Sequence, residues 1–198
     1  MPPVPQVGDP GQAAHARNAA SAAPHAGRHG RAVSCDLEIV RAVAVAQARQ
    51  PARPLWWLQT SQGCIVVALW PEHAPLHLAA LTQLIRAGFY NGTVFHRMVA
   101  NFVVQGGDPT ASGAGGPGFV LPAEPRVTGG AVGFDRGVVG VADSGKDTGG
   151  SQFFIMLAPA PHLDGRYTAI GEVIAGLQNV ERLTIGDQIV VSEVVQRP

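Results

Sequence analysis

The sequence predicts a mainly β fold: a closed eight-stranded antiparallel barrel capped by two α-helices. Three observations predict it. From residue 54 onward, short apolar runs rich in β-branched and aromatic residues alternate with turns rich in glycine and proline. Only two segments in that stretch carry helical periodicity, too few to supply the crossovers that parallel strands need, so the strands must pair antiparallel. The chain of 198 residues is 46% apolar and only 14% charged, enough to fill an interior. Closing the sheet around that interior is the economical way to leave no open edge.

Taken in order, residues 1–32 are mostly Ala, Pro, Gly, His and Arg and cannot bury enough apolar surface to offset ordering entropy. They are expected to be a disordered extension. Residues 33–53 form a helix and linker, with Val33, Leu37, Val40 and Ala44 at helical spacing and Pro51 ending the run. Residues 54–198 make the compact domain. Leu55 to Thr60 and Cys64 to Trp70 read as strands joined by the turn Ser61-Gln62-Gly63. Pro75 opens a helix at a position that tolerates proline. Its apolar face is Leu78, Leu81, Leu84 and Ile85, and Gly88 closes it. Asn91-Gly92 is a turn. Further strands fit 94–98, 102–105, 118–121, 138–142, 152–157 and 169–173. A second helix fits Leu177 to Leu183, and a last strand fits Gln188 to Val195.

Several function classes fall away. Lys+Arg and Asp+Glu both count 14, so no excess charge points to nucleic acid or an anionic membrane as partner. No apolar stretch approaches the ~18 residues that span a bilayer. The first residues hold no continuous apolar segment of secretory type, and the protein is expected to be cytoplasmic. The two cysteines, Cys35 and Cys64, are too few for a disulfide framework and are expected to be reduced, with Cys64 buried in a strand. His73 and His77 stand four apart but straddle the helix start at Pro75 with no third ligand near, so no metal is expected. The glycine run 113–118 leads into Phe119-Val120-Leu121-Pro122, not a helix, and offers no helix N-terminus to a pyrophosphate. Residues 140–146 nearly spell a phosphate loop, but Asp147 stands where Ser or Thr should hold magnesium.

Two segments remain as the candidate site: Phe95-His96-Arg97 with Phe102-Val103-Val104-Gln105-Gly106-Gly107-Asp108, and Gly150-Ser151-Gln152-Phe153-Phe154-Ile155. Strand alternation places Phe153 and Ile155 inside and Gln152 and Phe154 outside. Val103 and Gln105 share a face. Arg97 must face out, which by the same parity turns His96 inward as a core histidine. The outward sets describe an apolar groove walled by one arginine and two glutamines.

These segments, together with His162-Leu163-Asp164-Gly165-Arg166-Tyr167, resemble the cyclophilin family of peptidyl-prolyl cis-trans isomerases in order and spacing, over roughly residues 55–195. The short connections are similar to those of compact bacterial members. The resemblance implies an isomerase of X-Pro peptide bonds that assists protein folding and needs no cofactor; the alternative is a proline-peptide-binding or chaperone-like module with little turnover. Its partners would be proline-containing peptides and unfolded or folded protein clients, and it would act as a monomer. The resemblance further implies that Arg97 is catalytic and that Gln105 holds the substrate backbone. By the same matching, Phe102, Val103, Phe154 and Leu163 wall the proline pocket. Gln152, Ala142, Asp143, Ser144 and His162 fall at substrate-binding positions, with Gly113 beside the groove and the Tyr167 ring able to wall the pocket. Four positions depart from the common pattern. Val103 replaces a methionine and widens the pocket, and Asp143 replaces an asparagine and brings a negative charge to the rim. His162 stands where many members carry a tryptophan associated with cyclosporin binding, and Tyr167 where many carry a histidine.

Overall fold

The computed structural model describes residues 37–49, 53–125 and 133–195; the extension expected to be disordered, 1–32, lies outside the described residues. Eight strands form one antiparallel sheet. They are β1 (Leu55–Thr60), β2 (Gly63–Leu69), β3 (Arg97–Val99), β4 (Val103–Gly106), β5 (Val138–Val141), β6 (Phe153–Met156), β7 (Ala169–Ala175) and β8 (Ile189–Val195). Their order across the sheet is β3-β4-β6-β5-β7-β2-β1-β8. Three helices accompany them: α1 (Leu37–Arg49), α2 (Pro75–Arg86) and α3 (Leu177–Arg182).

The sheet curls but does not close as a ladder, which corrects the expectation of a closed barrel. Its outer strands, β3 and β8, are not paired. Val94 alone bridges to Gln188 across the seam. The reason lies in the backbone there. Phe95 N–H donates to Asp187 O, whereas the next residue, His96, donates to Gln105 O of β4. The chain passes from one edge of the sheet to the other within two residues, so no regular strand spans the seam. Glycines at positive φ, Gly92 and Gly186, bound the bridging segments. The strand expected at 118–121 is also absent: only Leu121 bridges, to Gly149.

Inside the curl lies the main core. Trp56 and Leu58 of β1, Ile65 and Val67 of β2, Val104 of β4, Phe153 and Ile155 of β6, and Phe95 are all at most 1% exposed. Polar atoms on these rings are satisfied, as burial requires. Trp56 Nε1 donates to Ser192 at 2.8 Å and Tyr90 hydroxyl to Ser151 O at 3.0 Å. Burial pushes the Tyr90 hydroxyl pKa up. Helix α2 closes one end with Leu78, Leu81 and Ile85, as its periodicity predicts. At its first turn, Glu124 accepts from the N–H groups of Leu76 and His77 and pairs with His77 Nδ1 at 2.7 Å. Helix α3 follows Gly176, which stands at φ 84.

Helix α1 packs on β2 and β7, outside the curl. Its buried residues are Ile39 and Val43, while Val40 (46% exposed) and Ala44 face solvent. This corrects the face expected from Val40 and Ala44. The helix is apolar nearly all round, and the Ile39–Val43 stripe carries more buried hydrocarbon than one ending in alanine. Cys64 is buried in β2 as expected, but it is disulfide-bonded rather than a reduced thiol. Cys35, the chain's other cysteine, lies outside the described residues.

Candidate active site

On the outer faces of β4, β5 and β6 a second apolar cluster gathers Val103, Phe154, Met156, Val138, Phe134 and Leu163, with Phe102, Ala142 and Tyr167 packed against it. The parity of β6 separates it from the main core: Phe153 and Ile155 point in, Phe154 and Met156 out. Phe154 is only 5% exposed, held between Phe134 (5.6 Å, tilted) and Tyr167 (5.8 Å, edge-on). Below it Gly140 is obligatory, since a Cβ there would stand 2.4 Å from the Phe154 ring. A turn at Pro161–Leu163 brings in Leu163.

A cavity of about 240 Å³ opens over this floor, lined by Arg97, Phe102, Val103, Gln105, Ala142, Asp143, Phe154, Leu163 and Tyr167. All nine were named from the sequence. A second cavity, of about 350 Å³, adjoins it and is lined by Gln105, Gly113, Ala142, Asp143, Ser144 and Gln152 among others. The remaining residue, His162, lines neither cavity but stacks on Phe102 at 5.8 Å.

The three polar side chains of the groove form a directed chain of hydrogen bonds. Arg97 Nη1 donates to Gln105 Oε1 at 3.3 Å, and Gln105 Nε2 to Gln152 Oε1 at 2.9 Å. Gln152 Nε2 in turn donates to the carbonyls of Gly113 and Gly115, at 2.9 and 2.8 Å. The register sets this up: Arg97 pairs with Gln105 across β3–β4, and Gln105 with Phe154 across β4–β6, beside Gln152. Arg97 stays exposed, and its bond to Gln105 is long, so it has N–H donors to spare.

One expectation fails. His96 is not a core histidine; Phe95 is the residue that enters the core. Alternation does not hold at a segment that changes partner strand between one residue and the next. His96 is half-buried beside the loop, where a Cβ on Gly113 would stand 3.9 Å from its ring.

The sequence reading gave no role to Asp108, Phe134 or Gly140. Asp108 is 1% exposed and organises the glycine-rich loop, accepting from Thr110 N–H and hydroxyl and from the N–H groups of Gly113 and Gly115. Burial alone would raise its pKa, but these bonds outweigh burial and hold it below the usual carboxylate value. An aspartate followed by Thr110, Ser112 and a glycine run is the turn signal that would have found it.

The family model for cyclophilin type peptidyl-prolyl cis-trans isomerases matches residues 56–197. The chain belongs to the cyclophilin family. Among curated cyclophilin-type relatives, peptidyl-prolyl cis-trans isomerase B of Bacillus subtilis is 44% identical over 119 residues, covering 60% of this chain and 82% of the relative. The peptidyl-prolyl cis-trans isomerase-like 1 protein of Gibberella zeae is 41% identical over 127 residues, covering 64% of this chain and 78% of the relative. A cyclophilin-type isomerase of Cryptosporidium parvum superposes with a TM-score of 0.65 at 28% identity, covering 74% of this chain and 98% of that structure. A second crystal structure of that protein was obtained in the presence of the dipeptide Ala-Pro, with a TM-score of 0.62 at 27% identity over 73% of this chain and 99% of that one. The cyclophilin fold and its curled, mainly β sheet are thus common ground, and the groove described above lies within the matched region.

Proposed function

We propose that the cavity over Phe154 holds the prolyl ring of an X-Pro segment and that Arg97 lowers the barrier to rotation about its peptide bond. The observation that carries this reading is the placement of a single exposed guanidinium at the edge of a cavity walled by Phe102, Val103, Phe154 and Leu163. The planar amide resists rotation by ~18–20 kcal/mol because resonance must be broken. As the bond twists, the prolyl nitrogen recovers its lone pair and becomes a hydrogen-bond acceptor. A fixed cationic donor aimed at that nitrogen binds the twisted state better than either planar state, which is what catalysis requires. Arginine suits the task because it stays charged and presents several donors in a rigid fork.

The chain of hydrogen bonds assists. The bond to Gln105 limits the freedom of Arg97, and Gln105 is itself restrained by Gln152. Backbone groups of the substrate would pair with Gln105 and with the segment at Ala142–Ser144, while Phe102, Val103, Phe154 and Leu163 grip the ring. Lowering the barrier by ~7 kcal/mol gives about a 10⁵-fold acceleration, within reach of electrostatics and positioning, with no covalent intermediate. The solved relative crystallised in the presence of Ala-Pro supports a proline-containing substrate. The clients are proline-containing segments of unfolded or folded proteins, and the protein acts as a monomer.

The test is the cis-trans exchange rate of an Ala-Pro peptide measured by NMR. Wild type is expected to accelerate exchange, and Arg97→Ala to lose about 10²–10³ of kcat/KM, the usual cost of one transition-state donor. The thermal midpoint should not move. Peptide binding with no acceleration would make the groove a binding module only. An unchanged rate in the variant would remove Arg97 from the mechanism.

A further inference from the structure

We propose that the second cavity receives a basic side chain of the substrate, an arginine or lysine within two residues of the proline, and that Asp143 selects it. The inference rests on the reading that the first cavity takes the proline. The two cavities share a wall made by Gln105, Ala142 and Asp143. Any peptide seated in the first cavity therefore lays a neighbouring residue across the mouth of the second.

The charges of the two cavities differ. The first is lined by Arg97 as well as Asp143, whereas Asp143 is the only charged residue lining the second. Among the described residues its carboxylate makes no ion pair, and its one hydrogen bond is from Gly145 N–H to Oδ1, at 3.2 Å. Oδ2 is left to accept. Two nearby charges on the same loop do not compete. Lys146 is exposed and lines neither cavity, and Asp147 is engaged by Ala123 N–H at 2.9 Å.

The shape fits a long side chain with an apolar stem and a donor-rich head. At about 350 Å³ the second cavity is the larger. Its rim carries Phe119, 42% exposed, and Val120, 63% exposed. These surfaces suit the methylenes of arginine or lysine, which cover apolar groups while the charged head reaches a polar partner. Backbone carbonyls of Gly113 and Gly115 face Gln152 and can accept a second bond each. An acidic side chain in the same place would meet Asp143 with like charge and find few donors.

The experiment scans Arg, Gln and Glu through the two positions before and the two positions after the X-Pro pair of a short peptide. Exchange rates and dissociation constants are both read by NMR, for wild type and Asp143→Asn. At one position wild type should favour Arg over Glu by about fivefold at low salt, with Gln between, and the ratio should shrink as salt screens the pair. In Asp143→Asn that ratio should fall to near one. Acceleration with no charge order at any position overturns this inference and leaves the proposed function standing. A charge order that survives Asp143→Asn also overturns it, since another group is then selecting. If no peptide is accelerated, the proposed function fails, and the dissociation constants alone decide whether Asp143 sorts charge.

Discussion

The two faces of β6 carry the same kind of residue to opposite ends. Phe153 and Phe154 are neighbours, both aromatic and both at least 95% covered, at 1% and 5% exposure. Phe153 meets Trp56 edge-on at 4.8 Å inside the curled sheet, where every neighbour is apolar or internally paired. Phe154 lies between Phe134 and Tyr167 under an open cavity rimmed by Arg97 and Gln105. What distinguishes them is whether the packing around each ring is complete. A filled interior holds the fold together; a cluster one layer short of complete leaves room for a ligand's apolar group to finish it.

Truncating the two rings should therefore give opposite profiles. Phe153→Ala is expected to cost about 3–5 kcal/mol of stability, the range for a large buried aromatic, with residual activity that tracks the folded fraction. Phe154→Ala should cost less, roughly 2 kcal/mol, because the cavity already relieves one side of its packing. It should instead raise KM for X-Pro peptides in the fully folded sample. Urea midpoints and NMR exchange on both variants check this. Equal stability losses, or an unchanged KM for Phe154→Ala, would break the contrast between the faces.

The same contrast explains what the sequence makes readable. Period-two alternation on β4 and β6 is a local property of regular strands, so Val103, Gln105, Phe153 and Phe154 fall on the faces expected. At His96 the rule fails because Phe95 bonds to Asp187 and His96 to Gln105, a change of partner that depends on chain brought in from ninety residues away. The open seam is hidden for the same reason: closure is decided by how two distant edges meet. On α1 two apolar stripes compete, and only the surface of β2 and β7 chooses Ile39 and Val43. Of the nine residues lining the first cavity, Arg97, Phe102, Val103, Gln105 and Phe154 follow from short motifs on strands, where neighbours in sequence are neighbours in space, whereas Ala142, Asp143, Leu163 and Tyr167 came only through the resemblance. Phe134 and Gly140 come from elsewhere in the chain and matter only once Phe154 is seated on them.

A mid-sized effect lies in the hydrogen-bond chain on the open face. Gln152→Leu keeps the side-chain volume but removes the acceptor for Gln105 and the donor to Gly113 and Gly115. Each such bond is worth about 1 kcal/mol net. The loss should appear as about a tenfold drop in kcat/KM and faster amide hydrogen exchange at 113–116, with little change in the urea midpoint. If stability falls and the rate does not, the chain belongs to the scaffold and not to the groove.

The smallest expected effect separates the regions by pH. Asp187 sits at the seam, lines neither cavity, and accepts from Ser61 hydroxyl at 2.5 Å, Gln62 Nε2, and the N–H and hydroxyl of Thr184. The Ser61 bond is the largest cause of its depressed pKa, about 2 against an ordinary 3.8, with burial opposing and the Thr184 and Gln62 bonds adding to it. Its folded-state pKa is lowered, so its stabilisation is fully present above the unfolded value of 3.8 and is lost as pH falls towards about 2. In that window the unfolded chain binds the proton first, and acid therefore favours unfolding. Asp187→Asn should lower stability slightly at neutral pH and flatten its decline between those two values. The exchange rate per folded molecule should be the same in variant and wild type, because the carboxylate ties the β1–β2 turn to the segment before β8 and touches nothing in the groove. A rate that falls with Asp187→Asn would mean the seam and the groove are mechanically coupled, and the separation drawn between the two faces of the sheet would have to be given up.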